Sequence, residues 1–186
     1  LSWPRVSVVV CTYNGSRTLD TTLTELEKLE YTDYEIVLVD DGSRDGVPQI
    51  AARHPSIIYI ITENRGLSSA RNTGLRASTG SIVAYIDDDA YPDPHWLQYI
   101  AHTFMTTDHA GVGGPNLPPP GDGMRAECVA NAPGGPIQVL LDDQTAEHIP
   151  GCNMAFRRER LLAIGGFDPR YRADGDDVDV CWRIQN

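Results

Sequence analysis

The chain has 186 residues, of which 41% are hydrophobic and 22% are charged, and this composition predicts one globular domain with a sizeable core rather than a disordered or fibrous chain. The formal net charge is −11 at pH 7 and the basic residues form no cluster, which argues against a nucleic-acid backbone as a partner. A ligand that carries phosphate would therefore have to be bound through a metal ion and a few placed arginines.

The first half of the chain alternates predicted strands and helices. Short runs of β-branched and apolar residues predict strands at 6–10, 35–39, 57–61 and 81–86. Leucines at helical spacing predict a helix near 19–29, and further helices are expected at about 67–77 and from Asp93, as the N-cap, to about Met105. This rhythm predicts an α/β fold with a mostly parallel, Rossmann-like sheet flanked by helices.

The second half of the chain is less regular. Residues 113–123 are rich in glycine and proline and predict a long surface loop of the kind that often shapes a site. Beyond this loop we expect a short strand at 137–141, an extended stretch near 152–156, a short helix from about Arg158 and a further helix from about Asp176. The sequence contains no repeat and no clear second domain, so we treat residues 1–186 as one domain.

Cysteine usage and hydropathy bear on where the protein resides. The four cysteines are widely spaced and form no C-x-x-C pair, which indicates a reducing, cytoplasmic compartment and no zinc site. No apolar run reaches the ~18 residues that span a bilayer, and no signal peptide is visible. Because the sequence starts at Leu1 and stops inside a predicted helix, we expect a piece of a longer protein, truncated at its C-terminal end. Membrane association, at the cytoplasmic face, would come only through sequence outside this chain.

Two loops that follow predicted strands carry candidate nucleotide contacts. The loop at Thr12-Tyr13-Asn14-Gly15 lacks the glycine-rich phosphate patterns but offers hydroxyl, aromatic and amide groups that can hold a base and sugar; an ordinary Asn-Gly turn is the alternative. The second strand ends at Asp40, whose carboxylate could accept the imide N–H of a pyrimidine. Turn formation would account for the glycines of that loop, but it does not require Asp40.

The helix at 67–77 places an arginine on its inward face. Leu67, Arg71 and Leu75 share one stripe, so Arg71 should face the interior and requires an anion there. That anion could be a buried acid of the protein or the carboxylate and diphosphate groups of a ligand site, and the two interpretations can coexist.

Two acidic clusters indicate chemistry beyond turn formation. Asp87-Asp88-Asp89 follows the strand at 81–86, and each pair of such charges at ~5 Å repels by roughly 3 kcal/mol at an effective dielectric of ~20, which a divalent cation would reverse. A turn is the alternative, although Asp93 already supplies the predicted helix cap. Near the C-terminal end, Asp176 and Asp177 begin a helix, where capping explains one acid and a general base is the functional alternative.

Six motifs follow one another along the chain: T-Y-N-G, V-D-D-G-S-R-D-G, N-R-G-L-S-S-A-R-N, Y-I-D-D-D, P-G-C-N-M-A-F-R-R and G-D-D-V-D-V-C-W-R. In order and spacing, this set resembles the family 2 glycosyltransferases with a GT-A fold, over essentially the whole chain. The resemblance implies a nucleotide-binding half at 1–110 and a half at 111–186 that holds the acceptor and the catalytic base. It also implies inverting, metal-dependent transfer of a sugar from a nucleoside-diphosphate donor, UDP-linked, to a saccharide, lipid or other hydroxyl acceptor.

The resemblance assigns roles to individual residues. It implies a metal site for Mg²⁺ or Mn²⁺ at Asp89 and Asp87, and a catalytic pair Asp176 and Asp177 in which the second acid is the base, although Asp176 replaces the usual glutamate. The implied nucleotide-binding residues are Thr12, Tyr13, Asp40, Arg65, Arg71, Asp87 and Asp88. Two alternatives remain: a nucleotidyltransferase with a related sheet, which the missing glycine-rich loop disfavours, and a non-catalytic nucleotide-sugar-binding module, which the retained acids disfavour.

Overall fold

The computed structural model describes residues 2–117, 123–124, 128, 139–140 and 145–185. Within these ranges the strands are β1 (Val6–Thr12), β2 (Tyr34–Asp40), β3 (Ile58–Ile61), β4 (Ile82–Asp87), β5 (Gly111–Gly113), β6 (Val139–Leu140), β7 (Ala146–His148) and β8 (Asn153–Arg157). The helices are α1 (Leu19–Leu26), α2 (Val47–Ala51), α3 (Leu67–Ala77), α4 (Trp96–Thr106), α5 (Arg158–Ala163) and α6 (Asp176–Gln185), and the described residues 123, 124 and 128 are also helical.

Six strands form one mixed sheet in the order β3-β2-β1-β4-β8-β5, and β6 pairs with β7 separately. β3, β2, β1 and β4 are parallel, whereas β8 runs antiparallel to both β4 and β5. The predicted α/β architecture with a mostly parallel sheet is thereby confirmed. The strand order reverses between β1 and β4, and ligands of open α/β sheets bind outside the carboxyl ends of the strands at such a reversal.

The register of the parallel strands places the candidate residues at one sheet edge. Thr12 lies opposite Asp40 on β2, and Cys11 lies opposite Asp87 on β4. Because β8 is antiparallel to β4, Asn153 at the start of β8 pairs with Ile86 at the same edge. The edge therefore collects the ends of three parallel strands and the beginning of an antiparallel one.

Alternating side chains of β1 supply both faces of the core. Val8 and Val10 pack in one cluster with the apolar faces of α1, α2 and α4, while Val9 packs in a second cluster with α3, α5 and α6. Leu19, Leu23 and Leu26 of α1 are fully buried, which stabilises the fold by about 2 kcal/mol each.

Helix α3 lies close against the sheet. A Cβ added to Gly74 would lie 2.3 Å from Cγ1 of Val9, so only glycine allows this approach. The close contact brings Arg71, one turn earlier, under the edge where the strands end.

One expectation for local structure is wrong, and two others fall partly outside the described residues. Helix α4 begins at Trp96 with His95 as its cap residue, and Asp93 instead accepts the His95 N–H at 2.8 Å, because Pro94 and His95 form a turn before the helix. Of the predicted strand at 137–141, the structure shows Val139–Leu140 as β6, and residues 137, 138 and 141 lie outside the described residues. Of the predicted loop at 113–123, residue 113 ends β5, residues 114–117 lie outside helices and strands, residue 123 is helical, and 118–122 lie outside the described residues. No helix in the described part of the chain combines the length and the hydrophobicity of a membrane span.

Candidate active site

Thr12 and Asp88 join the ends of β1 and β4. The Thr12 hydroxyl donates to Oδ2 of Asp88, and the backbone carbonyl of Asp88 accepts the Thr22 hydroxyl of α1 at 2.9 Å. Burial, reinforced by repulsion from Asp89, raises the pKa of Asp88 despite the hydrogen bond from Thr12. The side chain of Asp88 therefore supports the loop that begins at Thr12.

That loop turns at Asn14, which has a left-handed φ of 58°. The Asn14 N–H donates to the Ser43 hydroxyl at 2.9 Å, and its side-chain oxygen accepts the Arg44 N–H at 2.8 Å, so the loops after β1 and β2 hold each other. Tyr13 is left 54% exposed at this edge. An exposed aromatic ring on a fixed loop is suited to contact a base or ribose.

Asp40 is 1% exposed and already makes two side-chain hydrogen bonds. Its Oδ1 accepts the Ser43 N–H at 2.7 Å, and its Oδ2 accepts the Tyr59 hydroxyl at 2.8 Å. Each carboxylate oxygen retains a further acceptor site, so a contact to a nucleobase through the remaining lone pairs is compatible with these partners.

Asp41 is a residue that the sequence interpretation missed. Its two oxygens accept the backbone N–H groups of Arg65, at 2.9 Å, and Gly66, at 2.8 Å, so it holds the loop before α3. Gly66 has φ 94°, which only glycine adopts without strain. The signal was present in the paired acids after β2, but only the topology shows which segment the second acid binds.

The two predicted arginines lie in different environments. The side chain of Arg65 is 70% exposed, and only a surface ion pair to Glu63, at 3.1 Å, holds it. That of Arg71 is 5% exposed and donates from Nη1 to Oδ2 of Asp176 at 2.6 Å. The predicted inward orientation of Arg71 and its pairing with a buried acid are thus both present.

The two candidate catalytic acids are also distinguished by their surroundings. Asp176 is 2% exposed and faces Arg71. Asp177 is half-buried; its Oδ2 accepts the Gly151 N–H at 2.9 Å and its Oδ1 accepts the Val178 N–H at 2.8 Å. Asp177 is therefore oriented by backbone groups, while Asp176 is occupied by an arginine.

Asp87 and Asp89 also differ in their surroundings, since only Asp87 lies near Arg71. Burial raises the pKa of Asp87 even though Arg71, whose Nη2 lies 3.8 Å from Oδ1, favours the ionised form. Asp89 is exposed, and within the described ranges its side chain makes no hydrogen bond or ion pair. An unengaged carboxylate beside a second carboxylate is a suitable donor set for a hard divalent cation.

A cation here would depend on the ligand for part of its coordination. No group of three or more His, Cys, Asp or Glu side chains in the described part of the chain could hold a metal ion by itself. Mg²⁺ is commonly bound by one or two carboxylates together with substrate phosphates and water, and Asp87 and Asp89 fit that arrangement.

Two cysteines line the same edge in the neutral form. Burial raises the pKa of Cys11 to about 12 and that of Cys152 to about 11, with the carboxylate of Asp87 adding to both shifts. The next residue after Cys152, Asn153, accepts the Trp96 indole N–H at 2.9 Å. These groups shape the site without contributing a nucleophile at neutral pH.

Comparison with known proteins identifies the family to which the chain belongs. Residues 7–165 match the family described as glycosyl transferase family 2. The chain belongs to that family, and its architecture is the GT-A fold of glycosyltransferases.

Particular relatives and solved structures resemble the chain over nearly its whole length. A glucosyl-dolichyl phosphate glucuronosyltransferase of Haloferax volcanii is 31% identical over 97% of this chain and 63% of the relative, and the glycosyltransferase AglE of the same organism is 34% identical over 94% and 59%. The mannosyltransferase PcManGT of Pyrobaculum calidifontis, solved with GDP-Man and Mn²⁺, superimposes with a TM-score of 0.75 at 29% identity, over 98% of this chain and 52% of that one.

The TarS protein of S. aureus, solved with UDP, superimposes with a TM-score of 0.78 at 20% identity, over 97% of this chain and 54% of that one. This likeness concerns the fold. The chain spans less than two thirds of the length of these relatives and structures.

Proposed function

We propose that the chain is the catalytic domain of an inverting, metal-dependent glycosyltransferase that moves a sugar from a nucleoside diphosphate, UDP-linked, to an acceptor hydroxyl. The observation that carries the proposal is the position of Arg71 between two acids. Its Nη1 lies 2.6 Å from Asp176 at the start of α6, and its Nη2 lies 3.8 Å from Asp87 at the end of β4. A candidate metal site and a candidate base thereby share one edge of the sheet.

In this proposal the donor lies across the loops after β1, β2 and β3. Tyr13, Asp40 and the exposed head of Arg65 contact the nucleoside, and the buried Thr12 keeps the first loop in place through Asp88. Residues 1–110 thus form the nucleotide-binding half. PcManGT was solved with GDP-Man and TarS with UDP, and the calorimetry described below compares the two nucleotides.

Asp89, with Asp87, would hold Mg²⁺ or Mn²⁺ together with the diphosphate. Such a cation, when bound, neutralises the leaving group as the anomeric C–O bond breaks. The net charge of −11 supports this role, since an acidic domain must otherwise repel a diphosphate. The solved complex of PcManGT includes Mn²⁺.

Asp177 would act as the general base. Its carboxylate takes the proton from the acceptor hydroxyl, and the hydroxyl oxygen attacks the anomeric carbon on the face opposite the diphosphate, which inverts the configuration. The backbone N–H groups of Gly151 and Val178 already orient this carboxylate. Residues 111–186 would form the acceptor half, and the acceptor would be a saccharide, a lipid or another hydroxyl compound at the cytoplasmic side.

Calorimetry of UDP and GDP binding, with and without Mn²⁺, tests the donor and metal parts of the proposal. We expect UDP to bind at least tenfold more tightly with Mn²⁺, and Asp89→Ala to remove that gain. Equal binding without metal, unchanged in Asp89→Ala, would refute the proposed site.

Turnover of nucleotide sugars tests the base. Asp177→Asn keeps the shape and one acceptor oxygen but cannot take a proton, so we expect kcat to fall by about 100-fold or more while UDP binding is retained. Normal turnover in this variant would exclude Asp177, and retention of anomeric configuration in the product would exclude the inverting mechanism.

A further inference from the structure

We propose that Arg71 is a positioning residue that holds the turn at Gly151 and the start of α6 so that Asp177 faces the donor edge. This inference rests on the proposed function. It replaces the nucleotide contact that the sequence resemblance assigns to Arg71 with a role inside the protein.

The guanidinium of Arg71 is already committed to the protein. Nη1 donates to Asp176 at 2.6 Å, Nη2 donates to the Gly151 carbonyl at 3.2 Å, and the group lies 5.6 Å from the centre of the Phe167 ring. The side chain is 5% exposed, and its Nη2 also lies 3.8 Å from Asp87, so little of the guanidinium is open to a diphosphate.

One residue connects Arg71 to the proposed base. The Gly151 carbonyl accepts from Arg71, and the N–H of the same residue donates to Oδ2 of Asp177 at 2.9 Å. A Cβ on Gly151 would lie 2.6 Å from Nη2 of Arg71, so the turn and the arginine fit each other closely. Movement of the guanidinium would therefore move the donor that orients Asp177.

The second connection runs through Asp176, the neighbour of Asp177. The ion pair fixes the first turn of α6 from the side of the sheet, and the Val178 N–H completes the orientation of Asp177. A planar guanidinium can donate in two directions and lie over an aromatic ring at once, whereas a lysine ammonium is a point charge and cannot reproduce that geometry.

Arg71→Lys separates positioning from diphosphate binding because it keeps the charge and loses the planar fork. We expect kcat for sugar transfer to fall about 10- to 100-fold, as small misplacement of a catalytic group does, with the KM of the donor and the Kd of UDP and Mn²⁺ within about threefold of the wild type. A Kd for UDP raised tenfold or more, with kcat retained, would overturn the proposal and indicate that Arg71 binds the diphosphate. Arg76→Lys, at an exposed arginine on the same helix, is the control and should change neither quantity.

A double variant guards against loss of folding. Arg71→Met alone would leave Asp176 buried and unpaired, but Arg71→Met with Asp176→Asn removes both charges together. We expect this protein to fold, to bind UDP, and to keep a kcat as low as that of Arg71→Lys. A folded double variant with wild-type kcat would contradict the role of Arg71.

Amide hydrogen exchange tests the inference even if no sugar transfer is found. If the wild type turns over no nucleotide sugar, the proposed function fails, whereas the link from Arg71 to Gly151 remains measurable. In Arg71→Lys we expect the Gly151 and Val178 amides to exchange at least tenfold faster while amides of β1 are unchanged. Unaltered exchange at Gly151 and Val178 would overturn the positioning role.

Discussion

Thr12 at the end of β1 donates its hydroxyl hydrogen to Asp88, which follows β4, and this side-chain bond joins two strands at the point where the strand order reverses. Asp88 also accepts the Thr22 hydroxyl through its carbonyl oxygen, at 2.9 Å. The middle acid of the triplet thus connects β4 to β1 and α1, while its neighbour Asp89 remains exposed.

Asp88→Ala should weaken both the fold and the donor site. Loss of the acceptor leaves the buried Thr12 hydroxyl unpaired, which costs about 1–3 kcal/mol, and releases the loop that carries Tyr13. We expect a lower free energy of unfolding in urea and a Kd for UDP raised about fivefold. Thr12→Val is the matched control: if the bond matters, the two substitutions should be strongly non-additive, and simple additivity would argue against it.

Gly15→Ala should disturb the hydrogen bond between Thr12 and Asp88 by steric overlap. A Cβ at Gly15 would lie 2.0 Å from Oδ2 of Asp88 and 2.4 Å from the Thr12 hydroxyl oxygen, so Asp88 must move. We expect a loss of about 1–3 kcal/mol in stability and a clear loss of UDP affinity. Gly46→Ala, where the nearest atom is 3.5 Å away, should be tolerated, and equal damage from both substitutions would refute the steric argument.

Glu35 should make stability depend on acid pH. Burial alone would raise its pKa, but hydrogen bonds from Ser7, Thr79 and Arg5 outweigh it and lower the pKa from 4.5 to about 2. Because the folded pKa lies below the unfolded one, the stabilisation of about 3 kcal/mol is complete above about pH 5 and is lost as the pH falls toward 2. The free energy of unfolding, measured in urea at several pH values across this range, should depend much less on pH in Glu35→Gln than in the wild type. Glu25→Gln, which removes a partner of the exposed Lys28, should keep the pH dependence of the wild type.

Asn72→Asp should destabilise the fold without a direct effect on ligands. The Asn72 amide donates to the Phe167 carbonyl at 2.7 Å and accepts the Phe167 N–H at 2.8 Å, and it is buried. A carboxylate loses the donor and opposes the carbonyl, which should cost about 2–4 kcal/mol in urea unfolding. Arg76→Ala on the exposed face of α3 should have little effect, and a stable Asn72→Asp protein would show that the Phe167 backbone finds other partners.

The sequence predicted the parallel half of the fold well because local patterns determine it. The β-branched runs locate β1, β2, β3 and β4 to within a few residues, and α3 spans the expected 67–77. The second half depends on long-range pairing, so the antiparallel β8 was visible only as an extended stretch. Local patterns also misplaced the start of α4, because Pro94 forms a turn rather than the first turn of the helix.

The candidate site was predictable as a set of residues but not as a set of contacts. Acids at strand ends and an inward Arg71 could be found from spacing. Which acid pairs with Arg71 could not, since Asp176 lies 105 residues further along the chain. Asp41 was missed for the same reason: its partners, the N–H groups of Arg65 and Gly66, become neighbours only when β3 returns beside β2.

The antiparallel direction of β8 has a consequence for how this site can vary. The turn before β8 reaches the edge of the candidate site with its main chain, so Gly151 offers an N–H and a carbonyl that no side-chain truncation removes. Side chains at this turn can therefore be replaced while its main-chain hydrogen bonds persist. Mutagenesis that only truncates side chains would not detect the contribution of this turn. Substitutions that enlarge Gly151 would reveal its contribution.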